Sequence, residues 1–249
     1  MRAFFTFLVI AVLGVFVSSP VHAEVLSVDL AQNHVDITTG FNGARLVLFG
    51  VKEQRGDLAV VIRGPKHTMV VRRKDTVLGA WMNRASMRFR DVPAYFDYAL
   101  SVPEDRLATP GTLKAMGVGL NALQFEPDRR DESAEYVKNF QEALIRNKQH
   151  EGLFPVMAKD IVFLSDKFFR TSFDLPPNVP TGNYEILTYL FDNGRLVSQK
   201  TTALRVGQVG LGAKIYEFAY TNGFFYGLLC VLFAVVAGFV VNFVGRRAS

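Results

Sequence analysis

The most restrictive feature of the sequence is the apolar run from Phe224 to Val244, which only Asn242 interrupts. A helix rises ~1.5 Å per residue, so a helix over this run would reach ~30 Å, the thickness of the hydrocarbon layer of a bilayer. Arg246 and Arg247 follow, and basic residues favour the cytoplasmic side of a membrane. The run therefore predicts a C-terminal transmembrane helix over 223–244 and a cytoplasmic stub over 245–249.

The amino terminus has the order of residues found in a secretory signal. Arg2 precedes an apolar run from Phe4 to Val17, then Ser18-Ser19-Pro20 as a helix breaker, then Val21-His22-Ala23. The apolar stretch is too short to span a bilayer, and small residues stand where a peptidase cuts. Residues 1–23 are therefore predicted to be a cleaved signal peptide. An uncleaved anchor or a buried helix is the alternative.

Together the two ends predict one topology. The protein would be a single-pass protein of the inner (cytoplasmic) membrane, with its N-terminal domain in the periplasm and its C-terminus in the cytoplasm. The only cysteine, Cys230, lies inside the apolar run. Disulfides therefore cannot stabilise the exported domain, which must rely on a hydrophobic core.

The charge of the chain gives little support to nucleic-acid binding. The sequence has 28 Lys and Arg against 23 Asp and Glu, for a formal net charge of +5. Three of the basic residues, Arg2, Arg246 and Arg247, belong to the terminal segments. The remaining domain is nearly neutral and has no basic run longer than Arg72-Arg73-Lys74, so we expect no nucleic-acid partner.

Short apolar runs bounded by turn residues dominate the sequence after Val25, and this spacing is typical of strands. Asp192-Asn193-Gly194 is the strongest hairpin signal, because Asn and Gly tolerate the positive φ angles of a type I′ turn. We predict a mainly β fold in which residues 24–206 form a periplasmic, immunoglobulin-like β-sandwich. The predicted strands comprise 26–30, 35–37, 44–50, 57–64, 68–73, 161–164, 168–175, 184–191 and 196–206, with weaker candidates at 87–89 and 95–100.

A helical insertion interrupts the strands at about 104–152. Apolar residues recur at helical spacing from Tyr136 to Leu144, with Ser133 before them and Gly152 after them, which predicts a helix over 133–150. A second helix over 107–123 would be broken by Pro110-Gly111. After the last strand, residues 207–222 are glycine-rich at first and then amphipathic, which predicts a stalk or interfacial segment.

The sequence contains no recognisable catalytic constellation. It has no zinc-binding spacing of His or Cys and none of the serine-nucleophile, P-loop or dinucleotide-binding motifs. We therefore predict no catalytic residues, no metal site and no cofactor, and a protein that is not an enzyme. A site assembled from distant loops stays open as the alternative.

A basic group around one predicted hairpin could bind a small anion or a lipid headgroup. Its members are Arg63, Lys66, His67, Arg72 and Arg73. Basic side chains that protect a solvated edge strand against aggregation explain the group equally well.

The small residues of the C-terminal helix share one face at 100° per residue. Small residues allow a second helix to approach closely, and an amide could add a hydrogen bond between helices. This face predicts packing on an integral membrane partner or in a homodimer. Its residues are Gly223, Gly227, Ala234, Gly238 and Asn242. The alternative is that Gly and Ala are simply common in membrane helices.

Several segments resemble a known family over nearly the whole chain. They are FNGARLVLFG (Phe41 to Gly50), GPKHTMVVRRKDTVLGAWMN (Gly64 to Asn83), PNVPTGNYEI (Pro177 to Ile186) and the terminal helix with Arg246-Arg247. They resemble the Alph_Pro_TM family of alphaproteobacterial transmembrane proteins. The resemblance implies membrane location and supplies no catalytic residues. It also implies gene neighbourhoods that encode permeases similar to sulfite exporters.

The expected function is that of a membrane-anchored periplasmic accessory or binding protein. Its β domain would dock on a membrane partner, for which a sulfite-exporter-like permease is one candidate. Two alternatives remain open at this point. One is a periplasmic enzyme with a site dispersed over loops, and the other is an envelope-structural or adhesive protein.

Overall fold

The computed structural model describes residues 25–77, 80–129 and 132–247, so the predicted signal peptide lies outside the described residues. The strands are β1 (Leu26–Leu30), β2 (His34–Ile37), β3 (Ala44–Lys52), β4 (Asp57–Arg63), β5 (Lys66–Val77), β6 (Ala80–Pro93), β7 (Phe96–Leu100), β8 (Glu126–Pro127), β9 (Lys159–Asp160), β10 (Val162–Phe163), β11 (Phe168–Leu175), β12 (Gly182–Asp192) and β13 (Arg195–Gln208). The helices are α1 (Glu104–Leu107), α2 (Pro110–Met116), α3 (Ala134–His150), α4 (Leu211–Thr221) and α5 (Gly223–Arg247).

The described strands form two larger sheets and one small sheet. The first has the order β1-β3-β11-β10, and the second has the order β2-β13-β12-β4-β7-β9. In the second sheet β2 runs parallel to β13 and β9 runs parallel to β7, whereas the other pairs are antiparallel. The small sheet, β5-β6-β8, consists mainly of the long β5–β6 hairpin.

One hydrophobic core joins the two larger sheets. In β11 buried and exposed residues alternate, because one face lies on the core and the other in solvent. In contrast, every residue of β7 and the five central residues of β4 are buried, so both faces of the second sheet are covered at these two strands. The outer cover includes the helical insertion, where the Tyr98 hydroxyl donates to Glu104 Oε1 at 2.9 Å.

Local sequence signals explain several boundaries. The Ser133 hydroxyl accepts a hydrogen bond from the Tyr136 amide and caps α3, and Phe140 and Leu144 are buried on its inner face. The predicted second helix is instead divided into α1, α2 and a 3-10 turn, because Pro110 begins a new helix and Gly117 ends it. The turn between β12 and β13 has positive φ angles of 48° at Asn193 and 78° at Gly194, as the hairpin prediction requires.

The prediction of a mainly β fold is confirmed, but the C-terminal part of the predicted fold class is wrong. A transmembrane helix needs about 20 consecutive, predominantly apolar residues. In the part of the chain that the structure describes, no helix has the length and apolar character for that. The transmembrane helix predicted over 223–244 is therefore contradicted, and the predicted single-pass topology loses its support. The predicted stalk contains the helix α4.

Candidate functional site

A cavity of about 590 Å³ lies where the β sheets meet the helical insertion, and we call it the junction cleft. Strands β4, β5, β6 and β12 contribute to its wall together with α2 and the segment that follows the 3-10 turn. The charged residues of its lining are Arg63, Lys66, Asp91, Lys114 and Glu185. A concave site with a few converging polar groups is the usual form of a small-molecule site.

Arg63 anchors the helical insertion to the sheet. Its Nη2 donates to the backbone oxygens of Met116, at 2.6 Å, and Gly117, at 3.2 Å. These carbonyls end α2, where a cation is favoured by the helix dipole. Gly117 has a φ angle of 63°, and a Cβ there would lie 2.2 Å from Arg63 Nη2. Only glycine therefore allows this cap and the Arg63 contact together.

The structure brings together two of the five residues predicted to bind an anion. Arg63 and Lys66 line the junction cleft. His67, Arg72 and Arg73 are exposed on β5 and do not line the cleft. Sequence reasoning missed Lys114, because nothing in the sequence shows that α2 lines the same cavity as the start of β5. Anion binding by these residues remains a prediction.

A second site lies at the edge of the second sheet, in a cavity of about 360 Å³ that we call the edge cavity. Asp97 is only 4% exposed and lies in the fully buried strand β7. Its Oδ1 accepts a hydrogen bond from the Tyr98 amide at 2.9 Å, and its Oδ2 accepts one from the Tyr95 hydroxyl at 3.2 Å. Lys159 Nζ lies 3.0 Å from the same Oδ2, because β9 runs parallel to β7 at this edge.

The electrostatics of the edge cavity follow from burial. Loss of hydration raises the pKa of the Asp97 carboxyl above its ordinary value, and the Lys159 ammonium opposes that rise without cancelling it. Burial, and then the charge of Asp97, raises the pKa of the Tyr95 phenol. Lys159 also lies over the ring of Phe173, 5.3 Å from its centroid. A single acid in an otherwise apolar strand is the sequence signal that could have revealed Asp97.

The described residues contain no group of three or more His, Cys, Asp or Glu that could hold a metal ion. The functional groups that line the two cavities are carboxylates, amines, amides, a guanidinium and a phenol. The junction cleft has charges that can bind a ligand, whereas the charges of the edge cavity are largely engaged with one another.

The C-terminal helices α4 and α5 present an apolar surface of a different kind. Between them lies a groove of about 430 Å³ whose lining is almost entirely apolar. The groove is lined by Ile215, Phe218, Tyr226, Leu229, Cys230 and Phe233. Large side chains on α5 are widely exposed, for example Phe224 at 78% and Phe239 at 71%. Water is a poor environment for so much contiguous apolar surface.

The predicted helix-packing residues lie on this same helix. A Cβ added at Gly223, Gly227 or Gly238 would have nothing within 4 Å. Ala234 is exposed, and the side chain of Asn242 lies outside the described side chains. The described face is thus open to a neighbour, and its packing against another helix remains a prediction.

These features define a class of protein in which a mainly β domain is followed by two apolar helices. The chain matches the family model described as "Putative transmembrane protein (Alph_Pro_TM)" over residues 25–247, and it belongs to that family. The resemblance inferred from the sequence segments is thereby confirmed. No curated protein and no solved structure matches the chain.

Proposed function

We propose that the protein is a non-enzymatic binding module that α4 and α5 attach to a membrane. The observation that carries this proposal is the exposed apolar surface of these helices, on which Tyr220 and Phe224 are 80% and 78% exposed. Removing one such side chain from water contributes about 1.5–3 kcal/mol, so a few of them suffice for stable attachment. The family description as a transmembrane protein supports lipid as the occupant of this surface.

The architecture of the β domain supports a role in binding. The β domain has a four-stranded sheet of order β1-β3-β11-β10 and a six-stranded sheet of order β2-β13-β12-β4-β7-β9, in which β2 pairs in parallel with β13. An immunoglobulin sandwich of the variable type also divides its strands between a four-stranded sheet and an extended second sheet. Such domains supply a rigid scaffold whose loops and edges bind partners.

We infer that the partner is an integral membrane protein and that the β domain contacts it from the periplasmic side of the inner membrane. The signal-like residues 1–23 support a periplasmic domain. The resemblance to the Alph_Pro_TM family supports a permease of the sulfite-exporter type as the kind of partner. Attachment through α4 and α5 would hold the domain at high local concentration beside such a protein.

Attachment can be tested by flotation with liposomes. We expect the full mature chain to rise with the lipid, and a matched chain ending at Gln208 to stay in the dense fraction. The matched chain keeps the whole described core, whose residues lie between Leu26 and Val206. Circular dichroism of the shortened chain would show that it is folded. Flotation of both chains to the same extent would contradict attachment by α4 and α5.

The binding role has a separate control. In a chimera, an unrelated hydrophobic membrane anchor would replace residues 209–249. If the β domain binds the partner, a multi-pass membrane protein should still co-purify with the chimera from detergent-solubilised native membranes. The molar ratio of that protein to the chimera should be constant between preparations. Loss of that protein from the chimera, but not from the natural chain, would contradict partner binding by the β domain.

A further inference from the structure

The junction cleft contains opposite charges that do not pair with one another. Within the described residues, the side chains of Lys66, Lys114, Asp91 and Glu185 make no hydrogen bond or ion pair. Some other surface charges of the domain do pair, as Arg45 Nε and Asp174 Oδ1 do at 2.8 Å. Charges of both signs that share one cleft without pairing are available to a ligand.

The backbone at Asp91 is a second, independent observation. Asp91 has a φ angle of 55°, in the left-handed region that side chains other than glycine seldom occupy. Asn193 is the other described non-glycine residue with positive φ, and the hairpin turn explains it. The position of Asp91 coincides with an irregularity in the β5–β6 pairing, where the register shifts between His67 and Met69. Bulges of this kind redirect a side chain, and here the residue lines the cleft.

The net charge of the lining limits the ligand. Arg63, Lys66 and Lys114 carry positive charge, and Asp91 and Glu185 carry negative charge, so the lining has one excess positive charge. Arg63 is already engaged with the carbonyls that end α2, which leaves the two lysines to bind an anion. The two carboxylates can accept hydrogen bonds from an ammonium group, and the Gln124 and Asn183 amides add neutral contacts.

We propose that the junction cleft binds a small zwitterion that carries one ammonium group and two negative charges. Acidic amino acids and aminoalkyl phosphates have this charge pattern. Lys66 and Lys114 bind the anionic end, and Asp91 and Glu185 bind the ammonium. This assignment is independent of how α4 and α5 attach the protein to a membrane.

The test is calorimetric titration of the full mature chain in phosphatidylcholine nanodiscs. The probes are O-phosphoethanolamine and glutamate, with ethanolamine as a probe of the ammonium group alone and inorganic phosphate as a probe of the anion alone. We expect at least one zwitterion to bind about tenfold or more tightly than ethanolamine or inorganic phosphate, equivalent to ~1.4 kcal/mol. Absence of saturable binding for both zwitterions would overturn the proposal.

Matched variants assign the two ends of the ligand. Asn tolerates left-handed φ, so Asp91→Asn removes the charge and keeps the backbone. Combined with Glu185→Gln, it should reduce zwitterion affinity by about tenfold. Phosphate affinity should not fall, because the two substitutions remove negative charge from the cleft. The double variant Lys66→Gln, Lys114→Gln should lower the affinity for both the zwitterion and inorganic phosphate. The exposed Asp166→Asn is the control, and thermal unfolding would confirm that every variant is folded. The proposal would also be overturned if the Asp91→Asn, Glu185→Gln variant bound the zwitterion as tightly as the natural protein does.

A phosphatidylserine headgroup has the same charge pattern, so a second arm distinguishes the source of the ligand. The titration is repeated in nanodiscs that contain phosphatidylserine. Weaker apparent affinity for the soluble zwitterion would show that the lipid headgroup competes for the cleft. Unchanged affinity would assign the cleft to a soluble molecule. Both outcomes support the charge pattern proposed for the ligand.

Discussion

Replacing Lys159 with methionine should lower the free energy of unfolding by roughly 3 kcal/mol at neutral pH, as expected for one partner removed from a buried ion pair. Asp97 is 4% exposed, and Lys159 is the cation within 3.0 Å of its carboxylate. Without that ammonium, the charged carboxylate keeps only the hydrogen bonds from Tyr98 and Tyr95. The variant therefore has an uncompensated negative charge in an apolar strand.

The loss should depend on pH in a defined direction. Burial raises the pKa of the Asp97 carboxyl in the folded state above its value in the unfolded state. The contribution of the Asp97 carboxyl to stability is therefore fully present below the unfolded-state pKa and is lost as the pH rises through the folded-state pKa. Lys159→Met removes the group that opposes this rise and therefore raises the folded pKa further. The destabilisation should be largest at neutral pH and should shrink as pH falls toward the ordinary aspartate pKa of about 4.

Urea unfolding of the chain ending at Gln208 would measure this effect at several pH values. The double variant Lys159→Met, Asp97→Asn is the control, because a neutral amide does not need a cation. It should recover a substantial part of the lost stability, which gives a non-zero coupling energy in the double-mutant cycle. A loss that is independent of pH, or a double variant no more stable than Lys159→Met, would contradict the proposed role of this pair.

A second large effect is expected at Phe173. Phe173→Ala should cost about 4 kcal/mol, because it removes a fully buried ring and leaves a cavity between the sheets. Its strand, β11, pairs with β3 in the first sheet, and its ring faces the Lys159 ammonium of the second sheet. The ring therefore links the core to the edge cavity.

The matched control for this variant is Phe163→Ala on the neighbouring strand β10. Phe163 is 41% exposed, so its loss should cost about 1 kcal/mol or less. The midpoints of urea unfolding, compared at a constant m-value, would measure the destabilisation of both variants. Equal destabilisation by the two variants would contradict the location of the core between the sheets.

Local signals in the sequence predicted the elements that depend on neighbouring residues. The helix over 133–150 follows from the Ser133 cap and its apolar face, and the final hairpin follows from Asn193-Gly194. The strands β3, β4 and β12 follow from short apolar runs. In each case the determining residues lie within one or two turns of the element itself.

Long-range pairing could not be predicted in this way. Arg205 pairs with His34, and Lys159 pairs with Ala99, through parallel ladders between distant segments. The edge cavity exists only because the second of these ladders forms. The junction cleft similarly needs α2 and the start of β5 to line one cavity, which no local pattern specifies. The apolar run at the C-terminus was recognised, but the prediction that it crosses a membrane is wrong, because no helix in the described part of the chain is long and apolar enough to do so.

If the apolar side chains of α4 and α5 contact lipid, brominated lipid should quench the fluorescence of a tryptophan placed among them. The natural Trp81, the only tryptophan, would be replaced with Phe. A single tryptophan would then be placed at Phe233, which is 68% exposed on α5, or at Phe163 in the β domain as the control. We expect strong quenching at position 233 and little at position 163. Absence of quenching at 233 in liposomes, or equal quenching at both positions, would contradict this contact with lipid.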